Sequence, residues 1–145
     1  MVGRKRPTDW YQRFQSAKEP HVVTLQSDFA GVKAGMQMLI SSPGEIASFV
    51  ARIPQGEVRT IARLRSDLSR RANADAMCPV TTSIFLKVVA EVSLADLASG
   101  KQMSEVVPFW RIVEPASKLA SKISCGRDGI EHLLRLDGYT ISDNG

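Results

Sequence analysis

Met77-Cys78-Pro79-Val80-Thr81-Thr82-Ser83-Ile84-Phe85-Leu86-Lys87, running on to Val107-Pro108-Phe109-Trp110-Arg111, is the stretch whose reading decides the fold. Its first half predicts a helix start. Pro79 suits a first turn, where the amide it lacks would have no intrahelical partner, and Thr81, Thr82 or Ser83 can cap. Ile84, Phe85, Val88, Val89 and Val92 follow at helical spacing and predict one buried face, with Thr81, Ser83, Lys87 and Glu91 largely opposite. A helix that opens on small hydroxyls and a lysine, shortly after an arginine-rich helix, is what a helix-turn-helix uses to enter a DNA groove. An amphipathic helix with an ordinary solvated face has the same pattern, and both readings stay open here.

Upstream, Arg59, Arg63, Arg65, Arg70 and Arg71 face the single acid Asp67 within thirteen residues. A local excess of that kind marks either a solvated helix face or a phosphate-binding one. Ile61, Leu64 and Leu68 predict that this helix turns its arginines outward, with Thr60 as its cap. Before it, Ser42-Pro43-Gly44-Glu45 reads as a cap, a proline at the first helical position and an acid in the first turn. Ile46, Phe49, Val50 and Ile53 then predict a buried face, ended at Pro54-Gln55-Gly56. Glu57 to Thr60 reads as a short extended piece, and Asn73 to Met77 as a polar connection.

Downstream of the deciding stretch, Gly100 is a plausible helix stop. Val106 to Val113 is β-branched and aromatic and reads as a strand, confined by Pro108 to an edge or bend. Residues 117–125 read as a loop. Ile130, Leu133, Leu134 and Leu136 predict a last short helix stopped at Gly138. Residues 1–41 read as an N-terminal extension: a basic start, a short helix capped at Thr8-Asp9 carrying Trp10, Tyr11 and Phe14, a strand at residues 21–25, and a glycine-dotted loop at 28–35. Those aromatics are too large to leave in water without a partner surface, so the arm is expected to pack on the main domain. The fold expected is mainly α with a small β element: a winged helix-turn-helix over 42–141, preceded by the extension and followed by a tail at 142–145.

The 145 residues suffice for one domain with a real core, and an apolar fraction of 43% argues against disorder throughout. No apolar run approaches the roughly 20 residues of a membrane span, and no signal-peptide core follows Arg4-Lys5-Arg6. A cytoplasmic protein is the expectation, nucleoid-associated if bacterial. The charge of +4 and pI of about 9.3 suit a nucleic-acid partner without requiring one. Cys78 and Cys125 are too few for a disulfide framework and lack metal-ligand spacing with His21 or His132, so neither a metal nor a cofactor is expected.

At this point the motifs resemble a family. Ile53-Pro54-Gln55-Gly56-Glu57-Val58-Arg59-Thr60 resembles the opening of the DNA-binding domain of the alkylguanine-DNA alkyltransferases and their alkyltransferase-like relatives. Pro108-Phe109-Trp110-Arg111-Ile112-Val113 stands where that family has Pro-Cys-His-Arg-Val-Val. His132 to Tyr139 resembles its closing Leu-Leu-x-x-Glu-Gly, and the likeness covers about residues 40–141. It implies the winged helix-turn-helix fold and duplex DNA as partner, including DNA carrying O6-alkylguanine, with a repair protein as a further partner.

The departures from the family's pattern bear on chemistry. Phe109 occupies the acceptor-cysteine position and Trp110 that of the neighbouring base. Phenylalanine is no nucleophile and indole no base, so suicide alkyl transfer at that site is excluded and no catalytic residue is expected there. Asp137 stands for the family's glutamate. The tyrosine below the flipped base falls at Ile61, and the arginine finger near Thr82. What the resemblance implies is a non-enzymatic DNA-binding protein that recognises alkylated or damaged bases. Arg59, Thr60, Arg63, Arg65, Thr81, Thr82, Ser83, Lys87 and Arg111 would contact DNA, and Phe109, Trp110, Ser124, Cys125 and Asp137 would form a lesion pocket. Phe109 and Trp110 read equally as core, and Arg111 as an internal donor to backbone or to Asp137. Two alternatives stay open: a scaffold that binds a protein or small ligand, with the aromatic arm as a surface, and an alkyltransferase using the relocated Cys125.

Overall fold

In the computed structural model, which describes residues 8–140, the capping chemistry sets most helix boundaries. Asp9 accepts from the Gln12 amide at 3.1 Å and starts α1, Trp10–Ser16. Ser42 accepts from the Glu45 amide at 3.1 Å and starts α2, Pro43–Ala51. Thr60 does the same for Arg63 at 3.1 Å and starts α3, Ile61–Arg71. Each cap satisfies one of the amides that a first helical turn leaves without an internal partner. α4, Pro79–Ala98, is the exception, because its cap is Cys78, whose Sγ accepts weakly from Thr81 at 3.5 Å. α5, Lys118–Lys122, capped by Ser117, and α6, Gly126–Leu136, complete the helices.

The expected face of α4 holds at Val88, Val89 and Phe85 and is corrected elsewhere. Buried on it are Thr82, Leu86, Val88, Val89, Ala90, Glu91 and Ser93, whereas Ile84 is 51% exposed. α4 is the central helix: α2, α1, the segment around residues 109–111 and α5 all pack against it. A helix covered from several sides has no single apolar stripe, and spacing rules written for a surface helix misplace its faces.

The β element is real but stands elsewhere. β1, His21–Thr24, pairs antiparallel with β2, Gln37–Ile40, and β2 pairs parallel with β3, Ala76–Met77. β1 and the loop after it fall where the sequence predicts them. β2 and β3 are additions, β3 within what reads as a polar connection. The sheet thus ties the N-terminal arm into the joint between α3 and α4. It buries a small second cluster of Val32, Met38 and Cys78 apart from the main core.

No strand follows α4 among the described residues, so the expected strand at 106–113 is corrected. The chain there makes two short 3-10 turns, Met103–Glu105 and Phe109–Arg111. Phe109, Trp110, Ile112 and Val113 are all buried, at 0%, 1%, 1% and 1% exposure. A strand alternates sides and would send half of them to solvent unless covered on both faces. The turn instead gathers them inward while local bonds such as Arg111 N to Pro108 O at 2.9 Å satisfy the backbone. Two smaller corrections follow: residues 118–122 are helical rather than loop, and Leu136 is 58% exposed although Ile130, Leu133 and Leu134 are buried.

α1 packs across α4 as the aromatic content predicts. The Tyr11 hydroxyl donates to Asp96, the Lys87 ammonium lies 5.5 Å from the Trp10 ring centroid, and Phe14 rests on the main core. No helix among the described residues is long and apolar enough to cross a membrane.

A cationic cleft and the clamp behind it

The turn Phe109–Arg111 is where the candidate residues converge. It sits between the end of α2, the extended piece before α3 and the end of α6. Arg111 reaches back from it and makes three charge-assisted bonds. Its Nε and Nη2 donate to the two Asp137 oxygens, each at 2.7 Å, and its Nη1 donates to the Ile53 carbonyl at 2.7 Å. The fork-on-fork pairing matches the planar guanidinium to the carboxylate and fixes both groups. Asp137 is 4% exposed and also accepts from the Gly56 amide at 3.4 Å.

Burial alone would raise the Asp137 pKa. The Arg111 bonds, the facing Trp110 indole and the Gly56 amide outweigh it and hold the carboxyl below its ordinary 3.8. The indole Nε1 is buried on that side without reaching hydrogen-bond geometry. Phe109 meets Trp110 edge to face, with centroids 5.5 Å apart at 76°, and packs wholly in the core. Of the readings open for this segment, Arg111 is therefore an internal donor to both Ile53 and Asp137, and Phe109 and Trp110 are core.

In front of this clamp lies a cleft of about 410 Å³, within the size range of small-molecule sites. Its floor is Trp110, Ile112, Val113 and Leu134, with Tyr139 and Pro115 at the sides. Arg59, Thr60 and Arg63 form one rim and Glu114 stands at another. The Arg59 backbone amide donates to the Arg111 carbonyl at 2.8 Å, which fixes the rim to the turn. Arg59 pairs with Glu57 at 3.0 Å and Arg63 with Asp67 at 3.6 Å, both near the surface, where such pairs are worth little and exchange readily.

The remaining expected residues do not join this cleft. Thr82 is 0% exposed, and its hydroxyl donates to the Cys78 carbonyl at 2.6 Å, so it cannot approach a groove. Arg65 donates to the Met77 carbonyl at 3.3 and 3.1 Å and thereby ties α3 to β3. Lys87 is engaged with Trp10. Ser83 is exposed, while the Thr81 hydroxyl is buried without a partner. Ser124 donates from its amide, at 3.1 Å, and from its hydroxyl to Glu91, a carboxylate 7% exposed on α4. This pairing was not legible in sequence, because Glu91 reads as part of the solvated side.

Cys125 is half-buried and stands apart from the cleft lining. Burial pushes its thiol pKa up, its own backbone hydrogen bond opposes this, and Glu91 adds to the rise. An attacking thiolate is therefore disfavoured. Cys78 is 2% exposed in the small cluster. The described residues contain no group of His, Cys, Asp and Glu side chains able to hold a metal. Arg52, Arg71 and Tyr139 were outside the expected set. Arg71 was visible as part of the arginine run, while Arg52, past the end of α2, gave no periodic signal. Comparison of the chain with protein-family models, curated proteins and solved structures found no match.

Proposed function

We propose that the chain is a non-enzymatic DNA-binding protein of the alkyltransferase-like kind, in which the cleft over Trp110 accepts a base. The observation that carries this reading is the juxtaposition of an apolar-floored cleft with the rim arginines Arg59 and Arg63. The base would rest on the apolar floor by hydrophobic contact, Trp110 itself being 1% exposed, and guanidiniums at the mouth would neutralise the phosphates on either side. Arg59 and Arg63 hold the backbone. Arg111 and Asp137 act behind the cleft by fixing the turn that carries Trp110. Lesion recognition, and a repair protein as partner, extend the same reading.

An alkyl transfer role for Cys125 has no support in its placement or its raised pKa. A small ligand with an apolar body and an anionic group would fit the same cleft, and this is the second reading the lining favours. The deciding experiment is a fluorescence titration with two duplexes differing in one O6-alkylguanine, at two salt concentrations. Tighter binding of the lesion duplex supports a damage sensor. Equal, salt-sensitive binding leaves a general DNA binder. Binding of neither duplex overturns the DNA reading and moves the cleft to the small anionic ligand.

A further inference from the structure

The surface cations of this protein are not treated alike. On α6, Arg127 and Arg135 both pair with Glu131, at 2.9 and 3.7 Å. Lys33 pairs with Asp28 at 3.5 Å and Lys101 with Asp96 at 3.7 Å. Lys18, Lys118 and Lys122 stand without an ion pair among the described residues, none of them lining the cleft with the rim arginines, whereas between α2 and α3 the cations are clustered. Arg52, Arg59, Arg63 and Arg71 converge on one hollow of about 130 Å³ with Phe49 and Ile53 beneath them. The one carboxylate there, Asp67, already faces Arg63 at 3.6 Å and Arg70 at 3.9 Å. Arg52 and Arg71 make no ion pair with any described residue.

Four guanidiniums stand against Asp67 in the hollow and Glu57 beside it, which holds Arg59 at 3.0 Å, so Arg52 and Arg71 leave a surplus of positive charge that an anion from outside would relieve. The ends of α2 and α3 supply some negative potential for Arg52 and Arg71, since a helix C-terminus carries about half a negative charge. That partial charge is small beside the guanidiniums, so the hollow stays net positive. Its volume is below the range of about 300–1,000 Å³ typical of sites for whole small molecules, so it suits a charged group rather than a molecular body. Arg59 and Arg63 line both this hollow and the larger cleft, so a group held here lies next to whatever fills the cleft. Arginine is also the side chain whose planar fork matches phosphate oxygens two at a time.

We propose that the hollow of Arg52, Arg59, Arg63 and Arg71 is a phosphate-binding site that takes successive phosphate groups of a polyanion. Where the proposed DNA function holds, on which this source of the phosphates rests, they belong to the backbone flanking the base in the cleft. The docking surface is then the α2–α3 groove beside the cleft, not the opening of α4.

The test uses the full chain, Arg52→Gln, Arg71→Gln, the double variant, and Lys122→Gln as a distant control. Each is titrated with a plain duplex over a salt series and, separately, with inorganic tripolyphosphate, read by the thermal unfolding midpoint. All four carry exposed substitutions and are expected to unfold without ligand at the wild-type temperature. Each phosphate contact contributes about 0.9 to the slope of log K against log salt. The double variant is therefore expected to lose a slope of about 2 and at least tenfold in low-salt affinity, while the control loses nothing. Wild-type slope in the double variant overturns the groove and leaves DNA binding standing. A tripolyphosphate-induced rise in midpoint that vanishes in the double variant, without duplex binding, supports the groove and assigns it to free polyphosphate. No response of the wild-type chain to either probe overturns both.

Discussion

Arg111 and Arg71 carry the same guanidinium and meet opposite fates. Arg111 is 14% exposed, and each nitrogen of its guanidinium donates to Asp137 or the Ile53 carbonyl. Arg71 is exposed, shares a concave surface with three other arginines and has no carboxylate of its own among the described residues. A buried charge must be matched inside the fold, because its desolvation is costly; an exposed one can be matched by whatever arrives. The contrast teaches that in this protein the arginine behind the cleft holds the architecture, and those at the edge stay open to solvent.

The comparison breaks most visibly at its buried end. Asp137→Ala strands the Arg111 guanidinium and is expected to destabilise the fold by about 3–5 kcal/mol in chemical denaturation. A loss below 1 kcal/mol would mean that water reaches Arg111 and the clamp is not buried in effect. Next comes α4. Leu86→Ala, at 0% exposure, is expected to cost about 2–5 kcal/mol. Ile84→Ala, two positions earlier, should change stability by less than about 0.5 kcal/mol. Equal costs at the two positions would restore the apolar face that spacing alone suggests.

Acid sharpens the contrast further. The Asp137 carboxyl is held below its ordinary value, so its contribution is complete above about pH 3.8 and is lost as pH falls through its folded value. The wild-type unfolding midpoint should fall in that window. Asp137→Asn should be less stable than wild type at neutral pH and should show a shallower decline on acidification, so that the two curves approach. Parallel curves would assign acid sensitivity to other carboxylates. The smallest stability effect is expected at the rim. Arg63→Gln should shift stability by no more than about 0.5 kcal/mol, while reducing the salt slope of duplex binding by about 0.9. A large loss of stability there would make the rim architectural, like the clamp.

The sequence carried more of the elements than of the site. Ser42, Thr60 and Asp9 read as caps and act as caps, because capping is a contact within three residues. Tyr11 and Trp10 find α4 as their partner surface, as the size of the aromatic group requires. The site fared otherwise. Arg59, Thr60, Arg63 and Trp110 do share one cleft, whereas Thr82, Arg65 and Lys87 turn to Cys78, Met77 and Trp10. Those turns depend on which neighbour fills each side of α3 and α4, and no local spacing encodes that.

What the sequence by itself determined is the chemistry at short range: the capped helices, the surplus of arginine on α3, and the absence of a nucleophile at the Phe109–Trp110 turn. What only the tertiary structure decided is which guanidinium is internal. Arg111 and Asp137 are 26 residues apart in the chain, and Arg111 meets Ile53 across 58. The folded core closes those loops, and once closed it excludes the water that would otherwise have solvated the charges. The physical reason is that a charge's partner is chosen by what the surrounding core leaves within reach, and that core is assembled from residues distant in sequence.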